Sequence, residues 1–301
     1  MATPIFLDAW RKSAQAREIP EEGYNPDVKV VGDATGKSSF TFGIIHNPYR
    51  YNRPRESGGL ACPLCDVVRE VEQNPELDLA TIPIDKHFAV VANKYPTVEG
   101  HALAIHRGTG DNEAPMFTTA SLGKLEEYLA DVALFSTLNG LQALHNGAKA
   151  GATIPWHEHW NLLNAETLYD CVGRDYGIDA SPTTDVGYGV SMLADYPFAH
   201  IIFNQLHSER VSGLLKNMQS GIGSRYKCGF VPHVLCYASP GSMIVPLKVS
   251  QEKGMGAGDI AGHITCKTEE EFHALDYDAC IRKLGEILYK KEELDMTAFL
   301  E

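Results

Sequence analysis

The sequence predicts an α+β fold, and three observations predict it. Apolar runs of strand length recur at 87–93 (HFAVVAN), 101–106 (HALAIH), 141–146 (LQALHN), 198–203 (FAHIIF) and 242–248 (SMIVPLK). Longer stretches at 119–137 and 276–290 read as helices. The order strand, helix, strand, strand occurs in each half, as a degenerate internal duplication would leave it. A chain of 301 residues, 44% hydrophobic and 22% charged, is long enough to bury one large core or two ordinary ones.

In chain order, residues 1–37 read as an N-terminal extension, opening on an amphipathic helix and a polar turn within 1–24. Residues 38–165 form the first half. Its first strand, 38–46, runs into the loop from His46 through Arg50 to Arg55, rich in turn formers and arginine. That loop is either a solvated surface or one that reaches an anion, for which Arg50 has the right geometry. Cys62-Pro-Leu-Cys65 opens a short helix. The strands 87–93 and 101–106 form a hairpin across the loop that carries Lys94. In the helix that follows, Leu122, Leu125, Leu129, Val132 and Leu134 lie near a helical period. Strand 141–146 then enters the small-residue loop Asn146–Thr153, which allows close backbone approach to a ligand, with Lys149 able to hold an anion and Thr153 to add a donor. Residues 166–301 are a linker and the second half, because apolar periodicity is lost over 164–190. A strand at 198–203, a helix near 206–219, strands near 229–238 and 242–248, a Gly-rich loop at 253–258, the strand AGHITCK and a final helix complete the chain.

A net charge of −13 argues against a nucleic-acid surface and leaves room for a phosphorylated small molecule held by local cations. No apolar run reaches the length of a membrane span, and the N-terminal residues carry charge early, so a cytoplasmic protein is expected, with a homodimer as one admissible assembly. Seven cysteines, an odd number in a large chain, argue against a disulfide scaffold. Cys62 and Cys65 are half of a structural zinc site, a redox pair, or ordinary packing.

The chemistry concentrates in 151–163, GATIPWHEHWNLL. Read as a strand, this stretch turns His157, His159 and Asn161 to one side and Glu158, Trp160 and Leu162 to the other. A row of polar side chains on one face gives no packing return. Three readings compete. A neutral imidazole can attack phosphorus and form a phosphoramidate, with His159 as nucleophile, Asn161 donating its amide, and Lys149 and Thr153 adding donors. A cupin-like, metal-dependent enzyme that does not act on nucleotides would use His157, His159 and Glu166, although the spacing to Glu166 is long and the second half of that motif is missing. A half-buried strand with structural histidines is the third.

These residues resemble the histidine-triad superfamily. The likeness is to its transferase and phosphorylase branch: galactose-1-phosphate uridylyltransferases, diadenosine tetraphosphate phosphorylases and GDP-hexose phosphorylases. Asn93-Lys-Tyr-Pro96 through Gly100-His-Ala-Leu-Ala-Ile105 is similar to the paired-strand segment, Asn146 lies eleven residues before His157, and His157-x-His159-x-Asn161 resembles the triad. His46-Asn-Pro-Tyr-Arg50 with Cys62-x-x-Cys65, then 190–203 and Gly262–Lys267, extend the likeness over about 38–290. The resemblance implies an antiparallel sheet with flanking helices in two degenerate halves. It implies a nucleotidyltransferase or nucleoside-diphosphate-sugar phosphorylase with a covalent nucleotidyl-histidine at His159, or a non-catalytic nucleotide binder. It places Arg50, Lys94, Asn146, Lys149 and Thr153 around the nucleotide. It implies a structural zinc on Cys62, Cys65 and His157, with His106 as the nearest fourth ligand because the usual position holds Thr109. An amide at Asn161, in place of a third histidine, favours transfer over hydrolysis, because it cannot act as a general acid.

Overall fold

A computed structural model describes residues 2–38, 40–51, 62–79, 87–108, 125–146, 150, 154, 157–164, 183–187, 190–203, 208–225, 233–238, 241–248 and 255–299. Helix α1 (Pro4–Ala16) starts where the Thr3 hydroxyl accepts the Phe6 N–H. Phe6, Trp10 and Ala14, four residues apart, form its buried stripe. The Trp10 indole N–H donates to the carbonyl of His101 at 2.8 Å, so the first residues are built into the core.

Strands β1 (Asp27–Gly32) and β2 (Thr41–His46) pair antiparallel. Helices α2 (Pro48–Tyr51) and α3 (Pro63–Gln73) follow. Next come β3 (Phe88–Ala92), β4 (Ala102–His106), α4 (Leu125–Asn139), β5 (Leu141–Asn146) and β6 (His159–Asn164). The chain continues with β7 (Thr183–Gly187), β8 (Val190–Leu193), β9 (Ile201–Phe203), α5 (Ser208–Arg225), β10 (His233–Ala238) and β11 (Gly241–Pro246). It closes with α6 (Ala257–Ile260), β12 (His263–Cys266), α7 (Glu269–Ala274) and α8 (Tyr277–Gly285).

Among the described residues, nine strands form one antiparallel sheet in the order β3-β4-β6-β5-β10-β11-β9-β8-β7. The unit β3-β4-α4-β5-β6 has a counterpart in β8-β9-α5-β10-β11, and the two meet where β5 pairs β10. Because strand side chains alternate, the sheet buries two different surfaces. One face, with Ala143, Trp160, Leu162 and Ile244, packs under α1, α4 and α5. The other, with Leu144, Leu163 and Val245, packs under β2, β12 and α8. On that second face a separate small cluster, with Val91, Ile105 and Ile154, packs under α3.

Strands β1, β7 and β8 lie where the sequence suggests no strand. β1 is a half-exposed strand at the edge of its sheet, and TTDVG and VSML are too short and polar to display a period. The first of these lies within 164–190 and pairs with β8, so part of the expected linker is sheet. Among the described residues no helix is long and apolar enough to cross a membrane.

Candidate active site

Strand β6 begins at His159, and His157 sits in the bend before it. The alternation read from the sequence still holds. In the ladder His159 stands opposite Ile105 of β4, and Asn161 lies between Leu103 of β4 and Leu144 of β5. Continuing the β5 register places Asn146 opposite His159, and the ring contact of His145 with Trp160 at 4.6 Å agrees with it. On this face Ile105 belongs to the cluster under α3 and Leu163 to the cluster under β2, so His159 and Asn161 occupy the seam between two covers.

The tautomer of His159 is fixed by its own backbone. Nδ1–H donates to the carbonyl of His157 at 2.9 Å, which leaves Nε2 with a lone pair. The residue is 8% exposed. Burial, more than any neighbouring charge, lowers its pKa and keeps it neutral.

Strand alternation puts Asn161 on the same face as this ring, continuing the register puts Asn146 there too, and both amides have their oxygens engaged. The N–H of Thr97 donates to His101 Nδ1 at 2.9 Å, so Nε2 carries the proton and donates to Asn161 Oδ1 at 3.1 Å. Burial and the charge of Arg50 push the pKa of His101 down to about 3, which keeps it in this neutral form. The N–H of Ala257 donates to Asn146 Oδ1 at 2.6 Å. Each oxygen is taken, and no described residue is placed on either NH2 group. A neutral imidazole lone pair on a face with two amide NH2 groups is an arrangement that could take an electrophile bearing anionic oxygens.

Beside them, the Sγ atoms of Cys62 and Cys65 each lie 3.3 Å from His157 Nδ1. These three ligand atoms lie within 4.8 Å of one another, the span of a tetrahedral metal site. His157 Nε2–H donates to the carbonyl of His106 at 2.8 Å, which turns Nδ1 toward the thiols. Burial opposes ionisation of Cys62, but its contacts with His157 and Cys65 outweigh that and hold it below the usual thiol pKa. Softness, spacing and tautomer therefore fit zinc.

No family model matches this sequence, and no curated protein matches it. Solved structures do. A structure of yeast Ap4A phosphorylase Apa2 superposes with a TM-score of 0.61 at 14% identity, covering 100% of both chains. The chain has the Ap4A phosphorylase fold. The same enzyme in complex with Ap4A gives a TM-score of 0.60 at 13% identity over 96% of this chain and 99% of that one. Its complex with AMP gives 0.57 at 13% identity over 94% and 96%. This is the α+β, histidine-triad type of fold, and it leaves no place for a cupin barrel.

The remaining expectations divide. His106 does not join the two cysteines. Strand alternation sends its ring to the opposite face, where Nε2 meets the Tyr128 hydroxyl at 2.9 Å and the ring stacks on His87, so only its carbonyl serves the cluster. Glu158 also turns away, with its carboxylate 3.0 Å from His145 and both side chains buried. Arg50 donates to the carbonyl of Tyr95 at 2.7 Å and lies close enough to His101 to depress its pKa. Lys94 is exposed. Lys149, Thr153, Glu166 and Thr109 lie outside the described residues. The sequence pattern does not single out His101, Thr97 or Ala257 for the site. A signal for His101 is nonetheless present, since a histidine after Gly100 opens an otherwise apolar strand.

Proposed function

We propose that the chain is a nucleotidyltransferase or phosphorylase that passes a nucleoside monophosphate group through His159. The neutral Nε2 of His159 attacks the phosphorus of a nucleoside polyphosphate or nucleoside-diphosphate sugar. An N–P bond forms, the P–O bond to the leaving group breaks (a sugar phosphate from a nucleoside-diphosphate sugar, a nucleoside triphosphate from Ap4A), and the leaving oxygen keeps the electron pair. Nδ1 retains its proton, and the positive charge on the ring is met by the carbonyl of His157. In the second half-reaction an acceptor oxygen, from inorganic phosphate or a sugar phosphate, attacks the same phosphorus and the N–P electrons return to Nε2. The observation that carries this reading is the bond from Nδ1 to its own chain, which holds Nε2 unprotonated on a face with two amide NH2 groups. The AMP and Ap4A complexes of the phosphorylase neighbour support a nucleotide as the ligand. The net charge of −13 supports a small nucleotide over a nucleic acid.

The amides of Asn161 and Asn146 bind the phosphoryl oxygens, and Arg50 and Lys94 supply positive charge at the rim. Asn161 has no proton to give at neutral pH, so a leaving group that is already a good anion is favoured, and transfer is favoured over hydrolysis. When zinc is bound at Cys62, Cys65 and His157 it is a structural ion that stiffens the bend leading into β6. The test is chromatography of the products formed from Ap4A and from nucleoside-diphosphate sugars, with and without inorganic phosphate. Release of a nucleoside diphosphate only when phosphate is present supports phosphorolysis. Binding of these donors with no product in any mixture would contradict it.

A further inference from the structure

The contact that turns Asn146 comes from the far end of the sequence. We infer that the backbone N–H of Ala257, held in place by the carboxylate of Asp259, is a positioning group that locks the Asn146 amide with its NH2 toward the phosphate bound at His159. This rests on the nucleotidyl-transfer reading above.

A backbone N–H can only donate, so the atom 2.6 Å from Ala257 N is the Asn146 oxygen, and the amide has one orientation. The backbone there lies directly on the side chain. A Cβ added at Gly256 would come within 3.5 Å of Asn146 Nδ2 and 3.6 Å of its oxygen. That backbone is itself fixed by Asp259, which accepts the Gly256 N–H at 2.8 Å, the Thr265 N–H at 2.9 Å and the Thr265 hydroxyl at 3.2 Å. Asp259 thus ties the start of α6 to β12, and β12 pairs in parallel with β2. Continuing the β5–β6 register sets Asn146 across from His159, on the same face. Without the lock, the amide can rotate half a turn and present its oxygen to an anionic oxygen, turning an attraction into a repulsion. The second half of the chain therefore completes a site whose nucleophile lies in the first.

Ala257→Pro abolishes this contact, and because its ring takes the place of the hydrogen that points at the Asn146 oxygen it also displaces that side chain, so the variant is read together with Asp259→Asn. Ala257 is the first residue of its helix, where proline is well accommodated, and Gly256 has the extended backbone (φ −94°, ψ −176°) that a residue before proline requires. The change removes the N–H and leaves the chain path. We expect the rate of adduct formation on His159 from Ap4A to fall at least tenfold at saturating donor. In an Asn146→Ala background, where no amide remains to be turned, the same change should have no further effect. Equal losses in both backgrounds would mean a merely structural role and overturn the inference, as would no loss in the wild-type background. Asp259→Asn loosens the same backbone without setting a ring against Asn146, so it should show the same dependence on Asn146, and losses equal in both backgrounds would overturn the inference. A second readout separates this inference from the reading beneath it. The Asn146 side-chain NH2 signals, assigned by their absence in Asn146→Ala, should shift with AMP in the wild type and not in Ala257→Pro. Wild-type signals unmoved by AMP would overturn the inference, whereas a clear shift without any covalent adduct would overturn the transfer mechanism and leave the lock standing.

Discussion

His159 and His200 share one local arrangement and come to opposite ends. Each donates Nδ1–H to the carbonyl two residues earlier, His159 to His157 at 2.9 Å and His200 to Phe198 at 2.8 Å. At His200 the second nitrogen accepts the Leu193 N–H at 2.7 Å, and the ring has 0% exposure. At His159 no described residue is placed on Nε2, and the ring reaches the seam between two covering layers. The backbone contact fixes the tautomer in both. What meets the other nitrogen separates a ring pinned on both sides from one with the lone pair that the proposed transfer needs. The two halves repeat this contrast on a larger scale, since β6 carries His159 and Asn161 while its counterpart β11, GSMIVP, carries no histidine.

The largest expected effect breaks the comparison outright if it fails. His159→Ala should lower turnover by about a thousandfold or more while leaving the thermal midpoint nearly unchanged. His200→Ala should do the reverse. Removing a buried ring that serves both a donor and an acceptor should cost about 2–4 kcal/mol of stability in denaturant titrations, with the folded protein keeping its chemistry.

The second effect concerns the first half alone. Cys62→Ser should lose the metal and loosen the bend at His157, whereas His106→Phe should keep it, because that ring lies on the other face against Tyr128. Elemental analysis of the purified variants reads this directly. Loss of metal in both would show that the His106 side chain belongs to the cluster after all.

A smaller loss is expected at the amide. Asn161→Asp keeps an oxygen for His101 but sets a carboxylate oxygen where a donor stood, and should slow turnover by about a hundredfold with modest change in stability. Steady-state rates with Ap4A check it.

The smallest effect is a slope with pH. Burial depresses the pKa of His200 to about 4 and of His101 to about 3, against an unfolded value near 6.5. Each ring is neutral in the folded state, so its contribution is fully present above pH 6.5. It is lost as pH falls from there toward the folded value, by about 1.4 kcal/mol per pH unit per ring. Chemical denaturation at pH 7 and pH 5 should show the loss, and His200→Gln should show a shallower slope than the wild type.

Much of the site is legible in the sequence. The alternation of His157, Glu158, His159, Trp160 and Asn161 tells which side chains face together, because a strand offers only two sides. Cys62 and Cys65 are linked to His157 only through a family likeness, since nothing in their spacing points to a partner some ninety residues later. His106 is near the cysteine pair's expected fourth ligand in sequence but on the wrong face of its strand, and distance along the chain does not reveal the face. The contacts of Thr97 with His101 and of Ala257 with Asn146 are invisible for a simpler reason. Both donors are backbone N–H groups, which every residue except proline carries, so the sequence cannot mark them. The strands β7 and β8 escape because strands of a few residues have too little length to show a period.

The measurement that tests the central claim most directly is intact mass of the protein mixed with Ap4A or a nucleoside-diphosphate sugar and no acceptor. Transfer through His159 requires a gain of one nucleoside monophosphate, retained in His200→Gln, absent in His159→Ala, and discharged by inorganic phosphate or a sugar phosphate. An adduct of the same mass that persists in His159→Ala, or turnover of these donors by that variant at the wild-type rate, would contradict it.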